Sequence, residues 1–232
     1  MIDERLSSAS LTFELRGTIA LLTLTRPESG NPLPPGGVDQ FRAIWEEVKS
    51  NQAIRAAVVT GSGDRHFCTG ADVSALRTGE DGKPGLQNVP MDQAVRASPY
   101  QNKVFKPVIA AVNGLVNGGG HHLVADADIV VASRNAAFMD SHVNVGQVGA
   151  IGNIGLAKRL PLGTALRMTL QGKSFRLSAE RAYQLGYVDE LVDTPADVLP
   201  MAMDIANEIA KNSPQADALS KQAIWNSLVT AY

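Results

Sequence analysis

The run Val108-Ile109-Ala110-Ala111-Val112 is apolar at every position and is followed a few residues later by Gly118-Gly119-Gly120. A strand without polar alternation has both faces covered, which places it inside a sheet packed on two sides. The glycines leave bare main chain where a helix is predicted to open, running to about residue 127. Whatever this chain folds into must carry a covered strand into a helix through an exposed stretch of backbone.

A second stretch has the same character. Ala56 to Thr60 reads as a short buried strand, followed by the turn-rich Gly61-Ser62-Gly63-Asp64 and then by His66-Phe67-Cys68-Thr69-Gly70-Ala71-Asp72, leading into a short helix. Helix N-termini present unpaired N–H groups and a positive dipole end, so each stretch can donate to a negative oxygen. Two such donors meeting at one point would form an oxyanion hole for an enolate or tetrahedral oxyanion. Glycine-rich strand-to-helix turns are also ordinary packing devices, and spacing alone does not say whether two of them converge.

The remaining pattern is α/β. Leu11 to Arg16 and Ile19 to Thr25 flank Gly17-Thr18 as a hairpin. Segment 27–37 is a proline- and glycine-rich loop, and Phe41, Ile44, Trp45 and Val48 recur at helical spacing over 38–49. A surface loop over 78–90 and a helix over 91–103 precede the covered strand, and Ile129 to Ala132 is another buried strand. Helices then dominate, at about 153–160, 163–171, 178–185 and 196–211, with a last one from Ser213-Pro214 and one short strand over Tyr187 to Val192. The division expected is a core over 1–195 and a helical C-terminal part over 196–232. No solenoid-type fixed period is visible.

Composition removes several classes of function. With 232 residues, 21 Lys+Arg against 23 Asp+Glu and a net charge of -2, nothing attracts nucleic acid or an anionic membrane. The single cysteine, Cys68, rules out an internal disulfide and fits a reducing compartment, so cytoplasm is the expected location. Met1-Ile2-Asp3-Glu4-Arg5 has no signal-like apolar region. Phosphate-loop, ordered dinucleotide, zinc-protease and nucleophile-elbow motifs are missing from the sequence. Adjacent His121 and His122 rarely converge on one metal, so no metal site is expected. Gly149, Gly152 and Gly155 read as positions for close helix packing.

Taken in order, Arg26-Pro27 after the hairpin, Phe67 to Asp72, Lys106-Pro107-Val108 to Gly114, Gly118-Gly119-Gly120, Ala125-Asp126-Ala127-Asp128, Ala136-Ala137-Phe138 and Leu170-Gln171-Gly172 resemble the crotonase superfamily, the enoyl-CoA hydratase/isomerase family, over about residues 11 to 228. The resemblance implies a crotonase-like spiral of ββα units, with 196–232 a C-terminal region for assembly into a homotrimer or a dimer of trimers. It implies a fatty acyl-CoA or related thioester substrate and no prosthetic group. By the same resemblance the oxyanion-hole amides fall on Ala71 and Gly119, while Arg26, Asp72 and Val73 lie against coenzyme A.

The departures from that family are informative. Hydratases use two glutamates, and the matching positions here hold His122, counted from Gly119, and His142, counted from Phe138. Imidazole, with an unperturbed pKa of ~6.5, serves as acid or base near neutral pH. A lone histidine near a helix start is commonly a packing residue, but two of the four in the chain fall on these positions. His121 is expected to point away from the site, and His66 to lie in a loop near the ligand entrance. Asp140 could orient His142 or face solvent.

The chain is similar to oxocamphor hydrolase in its histidine at the second position, although Ile151 stands where that enzyme uses an aspartate. Ala150 replaces the nucleophile of aryl-CoA dehalogenases, and Ser74 a lysine common in hydratases. The resemblance also implies a further helical segment beyond Tyr232. Three functions stay open: hydration or isomerisation of an enoyl-CoA; carbon-carbon or thioester hydrolysis of a β-dicarbonyl or acyl-CoA compound; and acyl-CoA binding without catalysis.

Overall fold

The structure, a computed structural model, describes residues 6–33, 37–72 and 97–228. Strands β1 (Leu11–Arg16) and β2 (Ile19–Leu24) pair antiparallel across a tight turn. Gly17 takes φ +63 in that turn, a left-handed conformation that glycine accepts without strain. Helix α1 (Gly37–Ser50) leads to β3 (Ala56–Gly61), and β5 (Val108–Val112), β7 (Ile129–Ser133) and β10 (Glu190–Val192) complete a six-stranded sheet in the order β1-β2-β3-β5-β7-β10. All its pairings after the hairpin are parallel.

The apolar run that opened the sequence reading is covered on both faces, as its composition requires. Val108, Ala110 and Val112 join a core with Phe41, Ile44, Trp45 and Val48 of α1. Ile109 and Ala111 point the other way, onto Val198, Ala202 and Ala206 of α6 (Pro195–Ile209). The first helix of the expected C-terminal part thus covers one face of the main sheet.

A second sheet of short strands stands beside the first. It contains β4 (His66–Cys68), β6 (Leu115–Asn117) and β8 (Ala137–Met139), which pair parallel, and β9 (Leu177–Ser178), antiparallel to β8. The chain therefore climbs in pairs, β3 to β4, β5 to β6 and β7 to β8, each pair placing one strand in each sheet. This is the spiral that the resemblance implied. Among the described residues the remaining α-helices are α2 (His121–Val124), α3 (Ala150–Arg159), α4 (Leu162–Gln171), α5 (Ala179–Gln184) and α7 (Pro214–Ser227).

Several sequence expectations change. Of the helix expected over 91–103, residues 97–103 form a series of turns, where Pro99 and the left-handed Lys103, at φ +57, are incompatible with helix continuation, and 91–96 lie outside the described residues. The Ser98 hydroxyl donates to Asp126 and accepts from the Gln101 amide, tying this segment into turns. The helix expected to run from the triple glycine to about 127 is a 3-10 turn over Gly118–Gly120 and a single α-turn. The short helix expected after Asp72 and the loop over 78–90 lie outside the described residues.

Trp45 is fully buried, and its indole N–H donates to the Ala97 carbonyl at 2.7 Å. Trp45→Ala is expected to lower stability by about 3–5 kcal/mol, measured as a reduced urea midpoint with an unchanged slope.

Candidate active site

The three parallel strands of the small sheet end side by side. Beyond β4 the chain reaches Gly70, at φ +93, and Ala71, which forms an isolated bridge to Leu33. Beyond β6 it enters the glycine turn. The two segments touch main chain to main chain: a Cβ added at Gly70 would fall 3.0 Å from Gly119 N and 3.2 Å from Asn117 O. One added at Gly119 would fall 3.0 Å from Leu33 Cδ1 and 3.6 Å from Ala71 N, and one at Gly120 only 2.5 Å from Cys68 O. At Gly70 and Gly120 the close approach of main chain therefore demands glycine. The Asn117 amide spans all three strand ends, donating to Thr69 O at 3.3 Å and to Ser141 Oγ at 3.0 Å.

Arg26 and Asp72 also meet, in an ion pair of 2.7 Å with both side chains largely buried. The loop after β2 is thereby tied to the end of the Gly70-Ala71-Asp72 segment. Val73 lies outside the described residues.

The histidines divide by environment. His121 is buried, with Nε2 2.9 Å from Met139 O and Nδ1 3.1 Å from the Tyr187 hydroxyl. Since a carbonyl only accepts, Nε2 carries the proton and Nδ1 accepts from the tyrosine. Burial pushes its pKa down to about 4, so it is a neutral packing residue, as expected. His122 is half-buried, with Nδ1 enclosed without a hydrogen-bond partner among the described residues. Burial first, then the nearby His121 and His142, lower its pKa to about 4.

His142 follows β8 in a 3-10 turn, and its side chain is 22% exposed. Its ring lies over the glycine turn, with Cε1 3.4 Å from the position of a Cβ on Gly118. Its Nδ1 makes a short hydrogen bond to Asp140 Oδ1, and its backbone N–H donates to the same oxygen at 3.1 Å. Asp140 is fully buried, yet its carboxyl is held below the ordinary range, because hydrogen bonds and charge from His142, with help from Asn153, outweigh the desolvation that pushes it up. His66 opens β4 rather than occupying a loop; burial and then Arg65 lower its pKa. Cys68 is buried with its thiol pushed up to about 12, so it supplies no thiolate near neutral pH. Among the described residues no group of three His, Cys, Asp or Glu could hold a metal ion.

This combination of fold and strand-end geometry has known counterparts. Residues 14–230 match the family described as enoyl-CoA hydratase/isomerase. The chain belongs to the enoyl-CoA hydratase/isomerase family. It is 33% identical over 223 residues to (E)-benzylidenesuccinyl-CoA hydratase of Thauera aromatica, covering 92% of this chain and 81% of that one. It is 32% identical over 225 residues to short-chain-enoyl-CoA hydratase of Clostridium acetobutylicum, covering 93% and 80%. The crystal structure of an enoyl-CoA hydratase/isomerase from Mycobacterium paratuberculosis superposes with a TM-score of 0.83 at 36% identity, covering 97% of this chain and 84% of that one.

The protein is therefore an enzyme of the hydratase/isomerase family, a family that works on coenzyme A thioesters without a prosthetic group. In this hydratase/isomerase the structure gathers Ala71, Gly119, His122 and His142 around the ends of β4, β6 and β8. Asn117 and Asn153 were not singled out from sequence. Asn117 precedes the glycines directly, a signal that could have marked it; Asn153 carries none. Gly155 packs beneath the site as expected, with a Cβ there 2.9 Å from that of Ala125.

Because His121 and His122 are held at about 4 in the folded state against ~6.5 unfolded, the unfolded chain binds more protons between those values. Their contribution to stability is full above pH ~6.5 and is lost as pH falls toward ~4. Unfolding free energy measured by urea titration should fall across that window, and His122→Gln should flatten the slope by up to about 1.4 kcal/mol per pH unit.

Proposed function

We propose that this enzyme catalyses reversible addition of water across the conjugated double bond of an enoyl-CoA thioester. The thioester oxygen accepts hydrogen bonds from the backbone N–H groups of Ala71 and Gly119. Polarised in this way, the β-carbon accepts hydroxide from a water whose proton passes to His142. The electron pair moves to the thioester oxygen as an enolate held by the two amides, and collapse of the enolate takes a proton from the His142 imidazolium onto the α-carbon. Water is consumed and nothing else is gained or lost.

His122 acts as a neutral ring. Its depressed pKa of about 4 leaves it unable to serve as an acid near neutral pH, so it orients water by hydrogen bonding. Arg26 and Asp72 line the coenzyme A end, their ion pair holding that wall in place.

The observation that carries this reading is the approach of two strand-end main-chain segments beneath the His142 ring, with 3.6 Å between Ala71 N and the place a Gly119 Cβ would take. Relatives named as enoyl-CoA and benzylidenesuccinyl-CoA hydratases and as carnitinyl-CoA dehydratase support water addition or its reverse over hydrolysis. The lone buried Cys68 supports a reducing, cytoplasmic setting. No helix among the described residues is long and apolar enough to cross a membrane.

Assembly belongs to the same proposal: a homotrimer, or a dimer of trimers, to which residues 196–232 contribute. Leu162, Leu166 and Leu170 form one stripe along α4 at 64%, 46% and 71% exposure, apolar surface that a second copy would cover. Sedimentation should give at least three times the 24.6 kDa chain mass, and Leu166→Arg should shift it toward the monomer. A wild-type monomer would remove this part of the proposal.

Incubation with a panel of enoyl-CoA and β-ketoacyl-CoA thioesters, followed by mass spectrometry, tests the chemistry. The expected product is one water heavier than an enoyl-CoA, with His142→Ala slowing its formation by ~10²–10⁴-fold. Gly119→Ala, which fills the space beside the Ala71 amide, should slow it by ~10²–10³-fold. Tight thioester binding without turnover, or cleavage of the β-ketoacyl compounds alone, would overturn the assignment.

A further inference from the structure

A carboxylate placed out of contact with solvent, two residues from a histidine, has to be stabilised by something. Asp140 is fully buried at the end of β8 and has no lysine or arginine partner among the described residues. Its Oδ1 receives two hydrogen bonds from one residue, the backbone N–H and the ring Nδ1 of His142. Together they fix the position of the turn and the rotation of the ring. A carboxylate only accepts, so the Nδ1 it faces must carry a proton, and in the neutral ring Nε2 is left with its lone pair.

The surroundings enforce the pairing. Gly149, just before α3, is packed so closely that an added Cβ would fall 2.6 Å from His142 Nδ1, 2.9 Å from Asn153 Nδ2 and 3.0 Å from Asp140 Oδ2. Main chain without a side chain thus closes the pair from one side, and the Asn153 side chain helps hold the carboxylate ionised. The ring also lies against Gly118 of the glycine turn, with Cε1 3.4 Å from the place of a Cβ there. The other titratable groups acting on this pair are His121 and His122 of α2, both neutral.

We propose that Asp140 is a positioning residue for the reaction: it holds His142 with Nδ1 protonated, so that Nε2 is the atom that takes the proton from water and returns it to the α-carbon. Asn153 and Gly149 complete the clamp. The proposal rests on the hydration reading for the use of Nε2, while the pairing itself is a property of the protein without substrate. Asp140 touches no reacting atom and acts only through His142. Without it the neutral ring is free to rotate or to carry its proton on Nε2, which cannot then accept one.

Two measurements judge this. Nitrogen-15 spectra of histidine-labelled protein, with the His142 ring assigned by comparison with His142→Ala, should show the neutral ring protonated at Nδ1; a ring protonated at Nε2 overturns the proposal without reference to activity. In steady-state kinetics on the best enoyl-CoA, Asp140→Asn should lower kcat by ~10²-fold with KM within about twofold, and its His142 ring should lose the Nδ1–H preference. An unchanged kcat, or a loss confined to KM, overturns it. If Asp140→Asn does not fold, the wild-type spectrum still decides. Full activity of His142→Ala would sink the hydration reading instead, leaving the spectrum to judge the Asp140 pairing alone.

Discussion

Parallel pairing of three short strands, β4 with β6 and β6 with β8, is the constraint on which the site depends. Each strand is only three residues long and leads directly into a site segment: β4 into Gly70-Ala71, β6 into Gly118-Gly119, β8 into Asp140 and His142. Strands in register end at the same level, and neighbouring strands lie ~4.8 Å apart, so their ends are gathered within reach of one small molecule. Three residues make too few ladder bonds to stand alone. The small sheet is held because each of its strands continues a spiral whose other half is the covered six-stranded sheet.

Main chain, rather than side chains, forms the floor of the site, and this explains its glycines. At Gly70 and Gly120 a side chain would press on backbone atoms, and at Gly119 on the Leu33 side chain. Backbone amides suit an oxyanion because their direction is set by the fold, so little reorganisation is needed as charge develops.

Those side chains are where this protein acquires its own character. His121, His122 and His142 lie close together, and their surroundings give each a different set of partners. The first is neutral and bonded at both nitrogens; the second is neutral with one enclosed nitrogen unpartnered; the third is partly open and paired with a carboxylate. The same residue type fills a packing role and a site role according to how far it is buried and which groups it can reach.

Much was legible in the residue order. The β1–β2 hairpin, the covered strand β5, the α1 stripe of Phe41, Ile44, Trp45 and Val48, and the bare main chain after β5 all follow from local chemistry: left-handed tolerance at glycine, uniform apolarity and helical spacing. The small sheet was not legible, since strands of three residues carry no readable alternation. Nor was the turn segment over 97–103, where Ser98, Pro99 and Lys103 favour turns that apolar spacing does not reveal. What the sequence alone determined is which stretches are covered and which are bare. Only the tertiary structure decided that the bare stretches meet, that Asp140 turns inward to His142, and which histidine is locked away, because each depends on contacts between residues far apart in the chain or on burial, which exist only once the two sheets are closed against each other.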